Sequence, residues 1–443
     1  MTKNKTLGFI KFLVGTFLGI FLVLIPFKFS NGVDTVLFYY LKLFINAFHG
    51  PLQLLLVLAV VASALLALFD QLNPNSLISE NRLAKKLFST TRFYTINRLF
   101  GAAITLACYF KIGPEFLISP DTGGAMLDLA TQLGVLVPVM LLFQTFILEF
   151  GAMEFIGSLI GFVVKPIFKV SEICAVNIIS AWVGPGNAAI IGTQELFEKG
   201  YFTIKEAAII GSQFSTSSIG WVVLVCSVLG VMDSFGAIFL GITLIGVILG
   251  FIGVRIPPIK NYPDVYVDGS SKKESVTERK EGRFKTAVSS ASDRANTLTL
   301  KNFTSKIDNM LFYVFWLTPI IIFWGTAALA ISLYTPVLGW ISLPVEAILN
   351  LANVEDAHLT ASAIMSGFAD NYLPVILGKD IISIESKTIV AMMSILQLIF
   401  MSEIATLLTS CNVVKKFSDV IIIFIERTLI ALPFVIIFVK ILY

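Results

Sequence analysis

The sequence predicts an all-α polytopic membrane protein, with about nine transmembrane helices plus two re-entrant helical hairpins in an inverted-topology repeat. Three observations carry this reading. The 443 residues are 56% hydrophobic and only 14% charged, with a mean hydropathy of +0.87, more apolar surface than a water-soluble core has to hide. Several windows of roughly 20 residues carry no charge, the length that crosses a bilayer as a helix. Two further apolar stretches are interrupted near their middles by Gly, Pro, Asn or Asp, at corresponding places in two halves of the chain. That is the pattern of discontinuous helices around a solute site.

Taken in order, the expected spans are 12–28, 51–69, 97–111, 132–150, 205–230, 235–255, 308–333, 386–411 and 419–440. Residues 34–48 are apolar enough for a further buried or interfacial helix. The hairpins, 172–200 and 357–382, are too interrupted for one spanning helix and too apolar for a water-exposed loop. Backbone groups freed at membrane depth are tolerated only where they line a cavity or are buried in protein. Gly151–Val170 and Thr335–Asn350 mix apolar and polar residues and read as helices lying in the membrane plane. The basic N-terminus runs into apolar sequence without a small-x-small cleavage site, so it reads as a retained first helix.

Basic residues sort by side. Lys3, Lys5 and Lys11 put the N-terminus in the cytoplasm, where Arg82, Lys85, Lys86, Arg92 and Arg98 also fall two crossings later. The segment 112–131 carries Glu115, Asp121 and Asp128 without Lys or Arg and belongs outside. Lys165, Lys169, Lys199 and Lys205 return to the cytoplasm, so the first hairpin enters from there and the second from the opposite face. The chain then divides into scaffold helices (1–131), a first repeat (132–255), a cytoplasmic basic linker (256–307) and a second, oppositely oriented repeat (308–443). The linker is polar, charged and poor in aromatics, and is expected to be a largely mobile connector.

Composition also excludes. Cys108, Cys174, Cys226 and Cys411 show no short spacing, and His49 and His358 stand far apart, so neither a zinc pattern nor a disulfide framework is present. No phosphate-cradling Gly-rich loop with Lys occurs. No nucleophile, base and orienting group assemble, so neither an enzyme nor a bound cofactor is expected, and basic residues confined to loops imply no nucleic-acid partner. The expected partners are the lipid bilayer and a small-molecule solute.

Candidate solute-binding residues cluster at the interruptions. At the first tip, Gly184, Pro185, Gly186 and Asn187 offer close backbone approach and an amide, between half-helix ends that present free N–H and C=O groups. At the second, Asp370 and Asn371 place a carboxylate where burial is costly unless it pairs or meets water. The helix after the first hairpin holds the polar row Ser212 to Ser218, of which Gln213 and Ser217 lie four apart. The helix after the second holds Gln397 and Glu403. Asp370 and Glu403 are the residues at which Na⁺ or H⁺ coupling is expected. Glu403 reads equally as a structural partner of Arg427, and the adjacent Glu426 and Arg427 as an ion pair or a coupling site. Gly246 and Gly250 read as packing positions.

The run Val183-Gly184-Pro185-Gly186-Asn187-Ala188-Ala189, followed by Lys205-Glu206 and the Gly211-to-Gly220 helix, resembles the first hairpin and next helix of concentrative nucleoside transporters. More closely, residues 132–441 resemble the YjiH-type bacterial membrane proteins that carry a nucleoside-recognition Gate domain. The resemblance implies a multi-pass protein of the bacterial inner membrane, with opposed hairpins, transport coupled to Na⁺ or H⁺, and homo-oligomeric assembly. Nucleosides are the first substrate class it suggests. The nucleoside-binding tip of that family reads Gln-Thr-Glu where this chain has Pro185-Gly186-Asn187, so the position of the tip carries over and its side chains do not. The expected function is an ion-coupled secondary transporter of a small polar organic solute, nucleoside-like by this resemblance, working by alternating access around the two hairpins. The alternative is a non-transporting membrane receptor or subunit that binds a small ligand.

Overall fold

Long uncharged runs of Leu, Ile, Val, Phe and Ala satisfy every backbone group locally only as helices, and helices dominate the chain. The computed structural model describes residues 3–443 apart from 24, 30–31, 74–76, 144, 185, 216–218, 272–281, 402–403, 411–412 and 415. Among the described residues seven helical segments are long and apolar enough to cross a membrane: Thr6–Val23, His49–Leu72, Glu115–Phe143, Ile204–Leu229, Met232–Gly253, Leu300–Ile331 and Phe417–Leu442. The protein is therefore an α-helical, multi-pass membrane protein. Its one sheet among the described residues is a small antiparallel pair, Pro26–Phe29 with Gly32–Thr35, in which Phe27 faces Asp34.

Residues 34–48 do contain a helix, Val36–Ala47. The two amphipathic segments are the helices Ala152–Phe168 and Val337–Leu351. The 97–111 segment is the greater part of a longer helix, Arg92–Phe110. Two expected spans are not continuous helices. Residues 204–229 form Ile204–Ile209, a π-helical turn Ile210–Phe214 and Ile219–Leu229. Residues 384–410 form Ile384–Leu396 and Ile404–Ser410, with 397–401 unwound after the first.

The chain folds as two compact units. One comprises Val36–Leu142 and Leu300–Ser342. Its core holds Leu56, Val60, Ala64, Ala102, Leu127 and Ile322. Gly101 lets the helix Arg92–Phe110 lie against the Pro319 carbonyl, which a Cβ would meet at 2.1 Å. The fully buried Arg98 donates from Nη1 to the Leu87 carbonyl at 2.9 Å, with its cation over the Trp316 ring at 5.2 Å.

The other unit comprises Met1–Thr35, Phe143–Thr299 and Leu343–Tyr443, and so contains both helix–break–helix pairs. One core runs through it, from Phe168 and Ile178 through Ile209 and Phe214 to Leu398, Leu408 and Phe424. Part of the segment expected to be a mobile connector is ordered here. Arg283–Asn296 is a helix packed on Lys3–Val23 and Ala152–Phe168. Ala287, Ala291 and Ala295, four apart, give it a narrow apolar stripe that is fully buried. Gly151, at φ +101°, lies against the Ala291 carbonyl. Arg294 pairs with Glu149 and, at 3.3 Å, with Glu154. Burial pushes Glu154 above the usual carboxylate range, although Arg294 pulls it down.

Candidate functional site

The first post-hairpin helix starts on a capping box. Thr203 Oγ1 accepts from the Glu206 amide at 3.2 Å, and Glu206 Oε2 accepts from the Thr203 amide at 3.0 Å. The other carboxylate oxygen accepts from the Ser171 amide at 2.7 Å, fixing this helix to the chain entering the first hairpin. The helix soon widens into the π-turn Ile210–Phe214, a form found mostly as single turns at functional sites. Its wider spacing leaves Gln213, 1% exposed, with its carbonyl and amide side chain turned to tertiary partners. Gln213 Oε1 accepts from Arg427 Nη1 at 2.8 Å, the Gln213 carbonyl lies 3.4 Å from the same nitrogen, and Nε2 donates to Ser212 Oγ at 3.2 Å.

The second post-hairpin helix ends at Leu396, and the chain then turns sharply. Leu398 takes φ +61°, and the Ile399 amide donates to the Gln397 carbonyl at 2.7 Å. A left-handed leucine is unfavourable by roughly 1–2 kcal/mol, and tertiary bonds hold it. The Met401 amide donates to the Phe368 carbonyl at 2.8 Å, tying this break to the break of the second hairpin. Arg427 Nε donates to the Leu396 carbonyl at 3.0 Å, a cation placed on the partial negative charge of a helix C-terminus. Gln397, 2% exposed, donates from Nε2 to Thr428 Oγ1 at 3.0 Å and to the Ile364 carbonyl at 3.1 Å. Its Oε1 is buried and has no partner. Gly367 makes room for it: a Cβ there would stand 2.4 Å from that oxygen.

The structure therefore brings two of the sequence-predicted residues, Gln213 and Gln397, to adjacent positions of the last helix, Arg427 and Thr428. Both helix breaks and the second hairpin meet at this point, within one unit.

The hairpin tips are built differently. In the first, Cys174–Val183 closes with the Gly184 amide donating to the Ser180 carbonyl at 2.8 Å, and the chain turns extended before Gly186–Glu198 begins. Pro185, the Asn187 side chain, Ser217 and Glu403 lie outside the described residues. In the second, Ala357–Ser366 and Leu373–Gly378 flank a turn in which Asp370 Oδ1 accepts from the Tyr372 amide at 2.8 Å. Asp370 is 2% exposed and Asn371 partly buried. One oxygen of this carboxylate thus shapes the tip. The buried Tyr372 sets its ring edge against Trp221 of Ile219–Leu229, with centroids 5.5 Å apart.

Among the described residues the acceptors of Arg427 are Leu396 and Gln213, with no ion pair to Glu426; its other expected partner, Glu403, lies outside the described residues. Thr428 and Gly367 were missed, because nothing local to either residue marks it. Gly246 and Gly250 are packing positions: Gly246 lies under Trp182 of the first hairpin, and Gly250 under Phe168 and Phe214.

Over 445 aligned residues the chain is 30% identical to an uncharacterized protein of Alkalihalophilus pseudofirmus, a match covering 98% of this chain and 94% of that protein. No family model and no solved structure matches the chain.

Proposed function

The chain belongs to the same family as that Alkalihalophilus pseudofirmus protein, and from its own residues we propose that it is an ion-coupled secondary transporter of a small polar organic solute. One observation carries the reading. Each half of the chain follows a helix–break–helix pair with a second interrupted helix, and both interruptions are tied to one buried arginine in the last helix. Unwound backbone within membrane-length apolar sequence belongs where a solute or ion is coordinated. Two such places, joined through one side chain, form a device that a solute can bias from one arrangement to another.

The two helix–break–helix pairs are the re-entrant hairpins of this reading, opening in turn to the cytoplasm and to the outside. The N-terminus is cytoplasmic, the membrane is the bacterial inner membrane, and Asp370 and Glu403 are the carboxylates for Na⁺ or H⁺. The Gate-domain resemblance makes nucleosides the first class to assay. Uptake into proteoliposomes tests the proposal, with nucleosides, nucleobases, amino acids and small carboxylates supplied against imposed Na⁺ or H⁺ gradients. Gradient-dependent accumulation of any class supports it. Binding without flux refutes it and favours a ligand-binding receptor, for which the docked helix Arg283–Asn296 provides a cytoplasmic output.

A further inference from the structure

We propose that Arg427 is the binding centre for the carboxylate of an organic monoanion, which makes the solute of the transporter reading above an acid. Arg427 lies near the middle of the 26-residue helix Phe417–Leu442 and is 3% exposed. A guanidinium has five N–H donors and no acceptor. Nε is used by the Leu396 carbonyl and Nη1 by the Gln213 carbonyl and Oε1. Nη2 is buried and has no acceptor.

Charge sharpens the point. The acceptors on Arg427 are neutral oxygens, and among the described residues no carboxylate forms an ion pair with it. A cation inside the membrane is costly, and such residues pair or mark a ligand pathway. Dipoles from a helix end and an amide orient the guanidinium but leave its charge in place. The neutral partner set therefore holds the group ready while leaving the ion pair for something that arrives. Arg98, in the other unit, is likewise buried with Nε and Nη2 unpartnered, but its cation lies over the Trp316 ring, 5.2 Å from the centroid.

The chemistry of the arrival follows. One net positive charge is matched by one negative charge, and no second Lys or Arg among the described residues joins this hydrogen-bond network. A doubly charged phosphate would leave an excess charge buried, whereas a carboxylate closes the balance with short, charge-assisted bonds. Gln397 Oε1, buried and also unpartnered, belongs to the residue that follows the Leu396 carbonyl held by Arg427, and is an acceptor that a hydroxyl or N–H of the solute would meet. Because Arg427 holds the ends of both helix breaks, an anion on Nη2 bears on both at once.

The test uses the full chain in nanodiscs, with choline salts of lactate, pyruvate and benzoate, their neutral amides, uridine, and choline chloride. The proposal expects a rise in melting temperature with at least one carboxylate and none with its amide. Arg427→Met should weaken that binding by at least about tenfold, which is 1.4 kcal/mol. The same change strips the Leu396 carbonyl and Gln213 Oε1 of their donor, so a fall in the stability of the ligand-free protein accompanies it and is read separately from the ligand response. A purely structural arginine predicts an unchanged ligand response in Arg427→Met, which would overturn the proposal; if Met prevents folding the same comparison is made with Arg427→Lys, whose single ammonium cannot serve Leu396, Gln213 and a carboxylate together. Equal shifts with chloride alone would assign the group to an inorganic anion and overturn the proposal, as would responses confined to uridine or the amides. Proteoliposome flux separates the two readings: carboxylate binding without flux overturns transport alone, and flux of a neutral solute unaltered in Arg427→Met overturns the carboxylate alone.

Discussion

Replacing Glu206 by Gln tests whether the first interrupted helix is anchored as described. The side chain is 1% exposed, and its two oxygens accept from two backbone amides, Ser171 at 2.7 Å and Thr203 at 3.0 Å. Glutamine preserves the volume but has a single oxygen. Whichever way its amide turns, an NH₂ faces one of those backbone N–H groups, and donor meets donor. Hydrogen bonds to charged groups contribute about 1.5–3 kcal/mol, and a buried donor left unsatisfied costs about 1–3 kcal/mol. Since the second bond survives in weakened, neutral form, the expected loss is about 2–4 kcal/mol. Equilibrium unfolding in detergent reads it directly, with Lys205→Gln, which removes only an exposed bond to the Lys260 carbonyl, as the neighbouring control. Hydrogen exchange should localise the loosening to the chain around Ser171 and Thr203. A Glu206→Gln protein within about 0.5 kcal/mol of wild type, the range of ordinary surface changes, would refute the anchoring argument.

Other expectations follow from single contacts. Gly367→Ala sets a methyl 2.4 Å from Gln397 Oε1 and 3.0 Å from the Ile364 carbonyl; overpacking of about 1–3 kcal/mol should lower the melting temperature, and Gln397→Ala in the same chain should recover part of it. Gly246→Ala drives a methyl into the Trp182 ring at 1.8 Å, so a loss of similar size is expected, together with altered Trp fluorescence that Trp182→Phe abolishes. Arg294→Ala should loosen the helix Arg283–Asn296 in a pH-dependent way. Burial raises Glu154, so the folded state binds its proton more tightly than the unfolded chain does, and docking weakens as pH rises through the raised value. Without Arg294 to pull it back, hydrogen-exchange protection of residues 283–296, corrected for intrinsic rate, should be lower above the raised value than below it and equal to wild type on neither side.

The frame of helices was legible because membrane burial is written in side chains: runs without charge must be helical, and Lys and Arg mark their ends. The first interruption was half legible. Ser212, Gln213, Ser215, Thr216, Ser217 and Ser218 stand out as polar in an apolar segment, yet polarity alone does not distinguish a lined helix from an unwound one. The second interruption was hidden, since the unwound residues after Gln397 are Leu398, Ile399, Phe400 and Met401, as apolar as any helix. The docked helix was hidden for the opposite reason: its alanine stripe is diluted by Lys285, Ser289, Asp293 and Arg294, and only the spacing of Ala287, Ala291 and Ala295 betrays it.

A helix break is an event of the backbone, while hydropathy reads side chains, so a break becomes visible in sequence only when the groups that satisfy it are local. Here they are distant. The Met401 amide is satisfied by Phe368 and the Leu396 carbonyl by Arg427. Each residue is ordinary in its own neighbourhood. What was legible at a distance was cost: an arginine and two glutamines placed where apolar residues would be easier to bury. Gln213 bonds Arg427 and Gln397 bonds the next residue of the same helix, Thr428, which argues that intramembrane polar residues should be read together, by asking which of them can satisfy one another and which charge is left over. Among the described residues around these two helix breaks the remainder is the cation of Arg427, and it is that remainder that points to the ligand.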